Sequence, residues 1–231
     1  MRTPSAVGAL MLLALLASRG LAAADKNIEG TWRISTPQAA LRPVDNAPLP
    51  LTDKGRKLYE ANRDAQARKD YETYDMTMSR CASPGPPRLM LTPERFKIFV
   101  RDDVISIMFE WNRLLRQIDL HGHPVDPDFG DVAGLSWGHW EGKVLVVESR
   151  GFSHKRLLDS VLPNSEDLKL TEHFRLRGRE VLEDRITIDD PQIFTKPWDT
   201  IVTYRRQADA VFPEDVCLRR KAAGNPPLPL Q

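Results

Sequence analysis

GLSWGHWEGKVLVVES, residues Gly134–Ser149, decides the fold class. Two β-like runs, Gly134–Trp140 and Lys143–Ser149, flank the turn signal Glu141-Gly142 and predict a hairpin. A second hairpin follows, with Leu168–Leu176 and Glu180–Ile188 on either side of Arg177-Gly178-Arg179. Upstream, Phe96, Ile98 and Val100 alternate before a tight turn at Arg101-Asp102-Asp103. Val104–Trp111 then reads as a strongly apolar strand, and Leu114–Leu120 as another, closed by Gly122. Asn27–Ser35 is a first short strand and Trp198–Arg206 the last long one. These eight or nine short strands are mostly consecutive, with no long helix between them. The pattern predicts a mainly β chain with antiparallel sheet and excludes a βαβ arrangement. A single antiparallel β-barrel fits best, because closure removes exposed edges. The first and last strands would pair to close it. A two-sheet β-sandwich is the alternative.

The remaining segments surround that core. Pro37, Pro43, Pro48 and Pro50 make residues 36–52 an extended connection. Thr52 caps a helix expected over about 53–70, with Leu58, Ala61 and Ala65 on its apolar side. A further turn or short helix is expected over 71–79. Cys81–Pro87 is turn material, and Asn225–Leu230 belongs to a Pro-rich tail beyond a single domain at 25–221.

The chain has 231 residues and a formal charge of +1, with 41% hydrophobic and 28% charged residues. That balance excludes a broadly basic nucleic-acid-binding protein. The 18 prolines argue against a helical bundle. At the amino terminus, Arg2, the apolar run Val7–Ala17 and Ala22-Ala23-Ala24 have the pattern of a signal peptide covering residues 1–24. Its apolar run is too short for a membrane span. Its removal takes away Arg2 and Arg19 and turns the charge to about −1. A periplasmic or secreted location follows. The two cysteines, Cys81 and Cys217, are then expected to form a disulfide.

Several segments resemble a family of secreted bacterial proteins of unknown function. They are Arg80-Cys81 with Gly85-Pro86-Pro87-Arg88, Phe109-Glu110 with Arg116-Gln117-Ile118 and Gly122, Gly138–Val147, and Thr187–Pro191 with Pro197-Trp198. Cys217 also fits, and the resemblance runs from about residue 48 to 219. Where that family usually has Pro-His-Ser-Asp, this chain reads Pro163-Asn164-Ser165-Glu166-Asp167. Glu110-Trp111-Asn112 also departs from the family's usual Glu-Tyr. Gly30-Thr31-Trp32 resembles the Gly-x-Trp of lipocalins and related calycin barrels. That resemblance implies a tryptophan packed across the barrel floor and a cavity for an apolar ligand.

Candidate chemistry centres on polar residues within strand patterns. Glu110 shares a strand face with Met108, in an apolar run where a carboxylic acid would have a raised pKa. The alternative is a Glu110 paired with Arg113, Arg116 or Arg175. His139 shares a face with Trp137 and Glu141 and would serve as the acid or base beside Glu110. His173 and Arg175 share a face on a later strand, and Tyr204 is a further donor. The expected catalytic set is therefore Glu110, His139, His173, Arg175 and Tyr204. Met108, Trp137, Glu141 and Trp198 would contact ligand. A core histidine holding a backbone carbonyl is the competing reading for His139, and a solvated loop that for His121 and His123. His121 and His123, with Asp126 and Asp128, are weak metal candidates that match no established zinc spacing. His154 with Asp159 is another weak pair. Phosphate-loop, nucleophile-elbow and HExxH motifs do not occur, and no cofactor is implied.

Three functions compete. The first is an exported barrel enzyme performing acid–base chemistry, of the isomerase, cyclase or lyase type, on a partly apolar small molecule. The second is a non-catalytic, lipocalin-like carrier of a small apolar or aromatic ligand. The third is an interaction protein whose barrel is filled. Neither nucleic acid nor a membrane span is expected, and the oligomeric state stays open, a homodimer included.

Overall fold

The structure, a computed structural model, describes residues 27–122, 134–154, 156–208 and 211–229. Its strands are β1 (Gly30–Ile34), β2 (Arg95–Val100), β3 (Val104–Phe109), β4 (Leu115–Asp119), β5 (Leu135–Glu141), β6 (Val144–Arg150), β7 (Lys169–Arg177), β8 (Val181–Asp189) and β9 (Trp198–Gln207). They follow one another around a closed barrel in chain order. β1 pairs with both β2 and β9, so the first and last strands close the sheet as expected. The sandwich alternative is thereby set aside.

The hairpin that decided the fold class forms between β5 and β6, with Glu141 opposite Val144. Gly142 takes a φ of +61°, which glycine adopts without steric cost. One pairing departs from the antiparallel expectation. β4 and β5 run parallel, through Ile118 opposite Ser136 and Asp119 opposite Trp137. The number of residues between the two strands permits this, whereas a tight hairpin can only reverse the chain.

β3 also ends earlier than its apolar run suggests. Asn112 and Arg113 have φ of +49° and +52°, and this left-handed pair turns the chain after Phe109. Glu110 and Trp111 therefore lie beyond the strand. Trp111 instead bridges to Asp215 and donates its indole N–H to Pro227 O at 2.8 Å. Leu228 is fully buried, so the described part of the tail packs on the barrel.

At one end of the barrel Trp32 is fully buried, and the Arg206 guanidinium lies 4.3 Å from its ring. Arg206 also donates to the carbonyls of Asn27, Glu29 and Arg179, tying the entering chain to the β7–β8 turn. Trp32 is thus sealed beneath Arg206 where the chain enters the barrel. A Cβ at Gly30 would sit 2.4 Å from Arg206 Nη1, so the strand starts with the residue that leaves room for it.

The segment before β2 covers the other end. Its helices are α1 (Asp53–Ala67), α2 (Tyr71–Tyr74) and α3 (Met76–Arg80), followed by a 3-10 turn at Arg88–Leu91. A last helix, α4 (Cys217–Ala222), follows β9. Thr52 caps α1 as the sequence predicts, its Oγ1 accepting from Gly55 N at 3.0 Å. Leu41, Leu51, Leu158, Leu162, Ile193 and Phe194 join the same hydrophobic core as the barrel interior. Cys81 and Cys217 form a disulfide across 136 residues, joining the end of α3 to the start of α4. The buried Asp75 adds a second tie, pairing with Arg88 at 2.6 Å and capping α3.

Gly55 carries a prediction of unusual sign. In an open helix Gly→Ala gains up to about 1 kcal/mol. Here the new Cβ would meet the Ile193 carbonyl oxygen at 2.2 Å, so the helix must move off the loop. Gly55→Ala is expected to destabilise by about 1–3 kcal/mol in a urea titration. A stabilised variant would disprove the close approach.

Candidate active site in the barrel interior

Strand alternation decides which side chains face inward. On β7 the inward set is Leu170, Glu172 and Phe174; on β8 it is Leu182, Asp184, Ile186 and Ile188. β9 contributes Trp198, Thr200, Val202 and Tyr204. Arg116 comes from β4, Ser136 from β5 and Ser149 from β6. A polar layer therefore crosses an otherwise apolar interior.

Arg116 is its hub. Its Nη1 donates to Glu172 Oε1 at 2.9 Å, and its Nη2 donates to Glu172 Oε2 and to Ser149 Oγ. Its Nε reaches Ser136 Oγ at 3.2 Å, and the two serine hydroxyls lie 2.7 Å apart. Burial opposes the guanidinium charge, but the Glu172 carboxylate outweighs it and raises the Arg116 pKa.

Asp184 and Tyr204 lie beside this network. Asp184 pairs with Val202 across β8 and β9, which makes Tyr204 its diagonal neighbour on the same face. Both residues are fully buried. Neither Asp184 oxygen nor the Tyr204 hydroxyl has a hydrogen-bond partner. Native proteins rarely leave such groups unmatched, at about 1–3 kcal/mol each. Burial, reinforced by the Glu172 charge, pushes the Asp184 pKa well above the carboxylate range, although Arg116 opposes the shift. Burial and the same two carboxyl groups also raise Tyr204, so it remains a phenol. Beside Tyr204 the interior is packed with aromatic rings, Phe96 lying edge-on to Tyr204 at 4.9 Å and 5.8 Å from Phe109.

A pH-dependent stability follows. A buried acid with a raised pKa keeps its proton in the folded chain when the unfolded chain has lost it. Folding is therefore increasingly disfavoured as pH rises from about 4 towards the folded-state value, by up to about 1.4 kcal/mol per pH unit. Below the unfolded pKa the contribution is constant. Urea titrations across that window should show wild-type protein losing stability relative to Asp184→Asn as pH rises. Parallel profiles for the two proteins would show that Asp184 ionises normally.

Of the five expected catalytic residues, the structure brings only Tyr204 into this layer. Glu110 is buried at the turn after β3, where the Arg95 guanidinium pairs with it and Arg95 N donates to it at 2.9 Å. Its partner is none of the three arginines considered from sequence. His139 lies on the outer face, 3.1 Å from an equally exposed Glu141, so no Glu110–His139 pair exists. Ser136 and Gly138 are the inward residues of β5, and a Cβ at Gly138 would come within 2.9 Å of Val146 O. His173 and Arg175 also face outward, because Glu172 and Phe174 take the interior; Arg175 pairs with Glu183 at 3.2 Å.

The expected ligand contacts disperse in the same way. Met108 and Glu141 lie on the outer face, and Trp137 stacks there under Arg150, 5.6 Å from its guanidinium. Trp198 is buried at the start of β9, edge-on to Phe194 at 5.5 Å. His121 is exposed, while His123, Asp126 and Asp128 lie outside the described residues. Among the described residues no group of three or more His, Cys, Asp or Glu is placed to hold a metal. His154 pairs with Glu166 at 2.7 Å instead of Asp159, which accepts from the backbone N–H groups of Leu41, Val161 and Leu162. Sequence reasoning missed Glu172 and Asp184 as site residues and considered Arg116 only as a partner for Glu110. The available signal was a charged residue at an apolar position of an alternating strand, as in Leu182-x-Asp184-x-Ile186-x-Ile188.

The fold and this interior define a closed, mainly β barrel with a buried polar layer. No family model and no curated protein matches the chain. Among solved structures, a mutant of the fluorescent protein UnaG is similar at 14% identity, covering 80% of this chain and 99% of that one, with a TM-score of 0.37.

Proposed function

We propose that the barrel interior binds a small, partly apolar molecule and transfers a proton to or from it. The observation that carries this reading is the pair of unpartnered, fully buried groups, Asp184 and Tyr204. Burial raises the Asp184 pKa and so favours the protonated carboxyl, the form that acts as general acid towards a basic or carbonyl oxygen on the ligand. Tyr204 donates a second hydrogen bond to the same polar end. Glu172 is held by Arg116 and keeps the layer's geometry. This is the isomerase or lyase type of chemistry expected from sequence, with Asp184 in the role assigned there to Glu110. The carrier reading differs only in lacking the proton transfer.

Ligand recovery is the test. Protein from its native cells is compared by native and denaturing mass spectrometry, and any released molecule is incubated with fresh protein. The expected result is a bound small molecule that wild type converts and that Asp184→Asn binds without converting. Binding with no conversion by wild type leaves the carrier. No bound molecule in wild type counts against both.

Export belongs to the same proposal. It is supported by the residue pattern over 1–24 and by the Cys81–Cys217 disulfide, which suits an oxidising compartment. Among the described residues no helix is long and apolar enough to cross a membrane. Amino-terminal sequencing of the native protein should start near Asp25; a start at Met1 overturns export by this signal.

A further inference from the structure

A cleft of about 590 Å³ lies outside the barrel, between the α1–α2 segment and the loop around His154–Glu166. Its volume is in the range of small-molecule sites. Leu58, Met76, Leu157 and Ile193 supply apolar walls. The charged side chains around it make contacts of their own, although Arg156 Nε is buried without a hydrogen-bond partner. Lys54 donates to Gln192 Oε1 at 2.5 Å, Glu72 pairs with Arg80, and His154 pairs with Glu166. Arg156 donates to Pro86 O and stacks 4.7 Å from the Phe152 ring.

Two neutral residues of the lining, Tyr74 and Asn164, also carry unpartnered polar atoms. The Tyr74 hydroxyl and Asn164 Oδ1 are buried and make no hydrogen bond. Asn164 is 5% exposed, and its amide nitrogen is held by the carbonyls of Ser153 and Ser165 at 3.1 and 2.9 Å. Its orientation is therefore set, with the oxygen left as an acceptor. Burial raises the Tyr74 pKa, so its hydroxyl stays a donor. One such donor and one such acceptor match a neutral group that both accepts and donates.

We propose that this cleft is a second binding site, for a neutral molecule joining an amide group to a short apolar chain. The amide carbonyl accepts from Tyr74 and the amide N–H donates to Asn164 Oδ1. The apolar chain packs on Leu58, Met76, Leu157 and Ile193. This inference stands independently of the barrel reading.

Hexanamide is a direct probe, with methyl pentanoate as a similar-sized control that lacks the N–H. Titration of isotope-labelled full-length protein, followed by NMR, should give saturable shifts at the Asn164 side-chain amide and the Met76 methyl. The ester should bind several-fold more weakly. Tyr74→Phe removes only the hydroxyl and should weaken hexanamide by roughly three- to tenfold. Equal binding of amide and ester, or an unchanged affinity in Tyr74→Phe, overturns the amide assignment. Shifts confined to barrel residues such as Leu182 and Val202, or no saturable shift at all, overturn the site.

Discussion

Arg116→Met is expected to destabilise the protein by about 3–5 kcal/mol, because it strands Glu172 as an unpaired carboxylate in the barrel. Arg116 and Glu172 side chains are 2% and 0% exposed, so water cannot replace the lost partner. The same substitution also removes a donor from Ser136 and from Ser149. Those hydroxyls still have each other, so most of the loss belongs to the carboxylate. The double variant Arg116→Met with Glu172→Leu should recover most of the stability, since apolar side chains of similar volume often match a buried ion pair. Urea unfolding of wild type, both single variants and the double variant gives the coupling directly. Additive effects of the two substitutions would mean that the pair does not hold the layer together.

Loss of the Cys81–Cys217 disulfide is the second large effect. The bond spans 136 residues, and the loop-entropy relation for that length gives about 5 kcal/mol. Cys217 is fully buried, whereas Cys81 is half-buried, so paired alanine substitution removes the link without burying new polar groups. The double Cys→Ala variant should show a markedly lower urea midpoint, and reduction of wild type should approach it. Nearby ties limit the local damage. Lys221 Nζ donates to Ser79 O at 2.5 Å, and Asn112 Oδ1 accepts from Cys217 N at 2.8 Å. The loss is therefore expected in global stability, with barrel circular dichroism retained at low denaturant. A change under about 1 kcal/mol would show that the unfolded chain is already restricted by residual structure.

The barrel was legible because its signals are local. Alternation in β5 to β8, the glycine turns at Gly142 and Gly178, and the Thr52 cap each act within a few residues. The β4–β5 pairing was not legible. Parallel register depends on where a long connection returns, and no short-range pattern encodes that. Nor was the end of β3, where two left-handed non-glycine residues override an apolar run that otherwise reads as continuous strand.

The site shows the same division at finer scale. A period of two states that Trp137, His139 and Glu141 share one face, and Glu172 and Phe174 another. It does not state which face is inside, because tryptophans occur on both faces of β5. Closure settles that question: Ser136 and Gly138 are the buried positions of β5, and a Cβ at Gly138 would meet the interior Ile118 side chain at 3.0 Å. The carboxylic acid with a raised pKa that was expected at Glu110 is found at Asp184 for the same reason. Glu110 has Arg95 within reach and pairs with it; Asp184 has no such partner. Residue type and spacing are local quantities and can be read along the chain. Desolvation and partnership depend on which distant strands converge, and closing nine strands around one interior is what sets them.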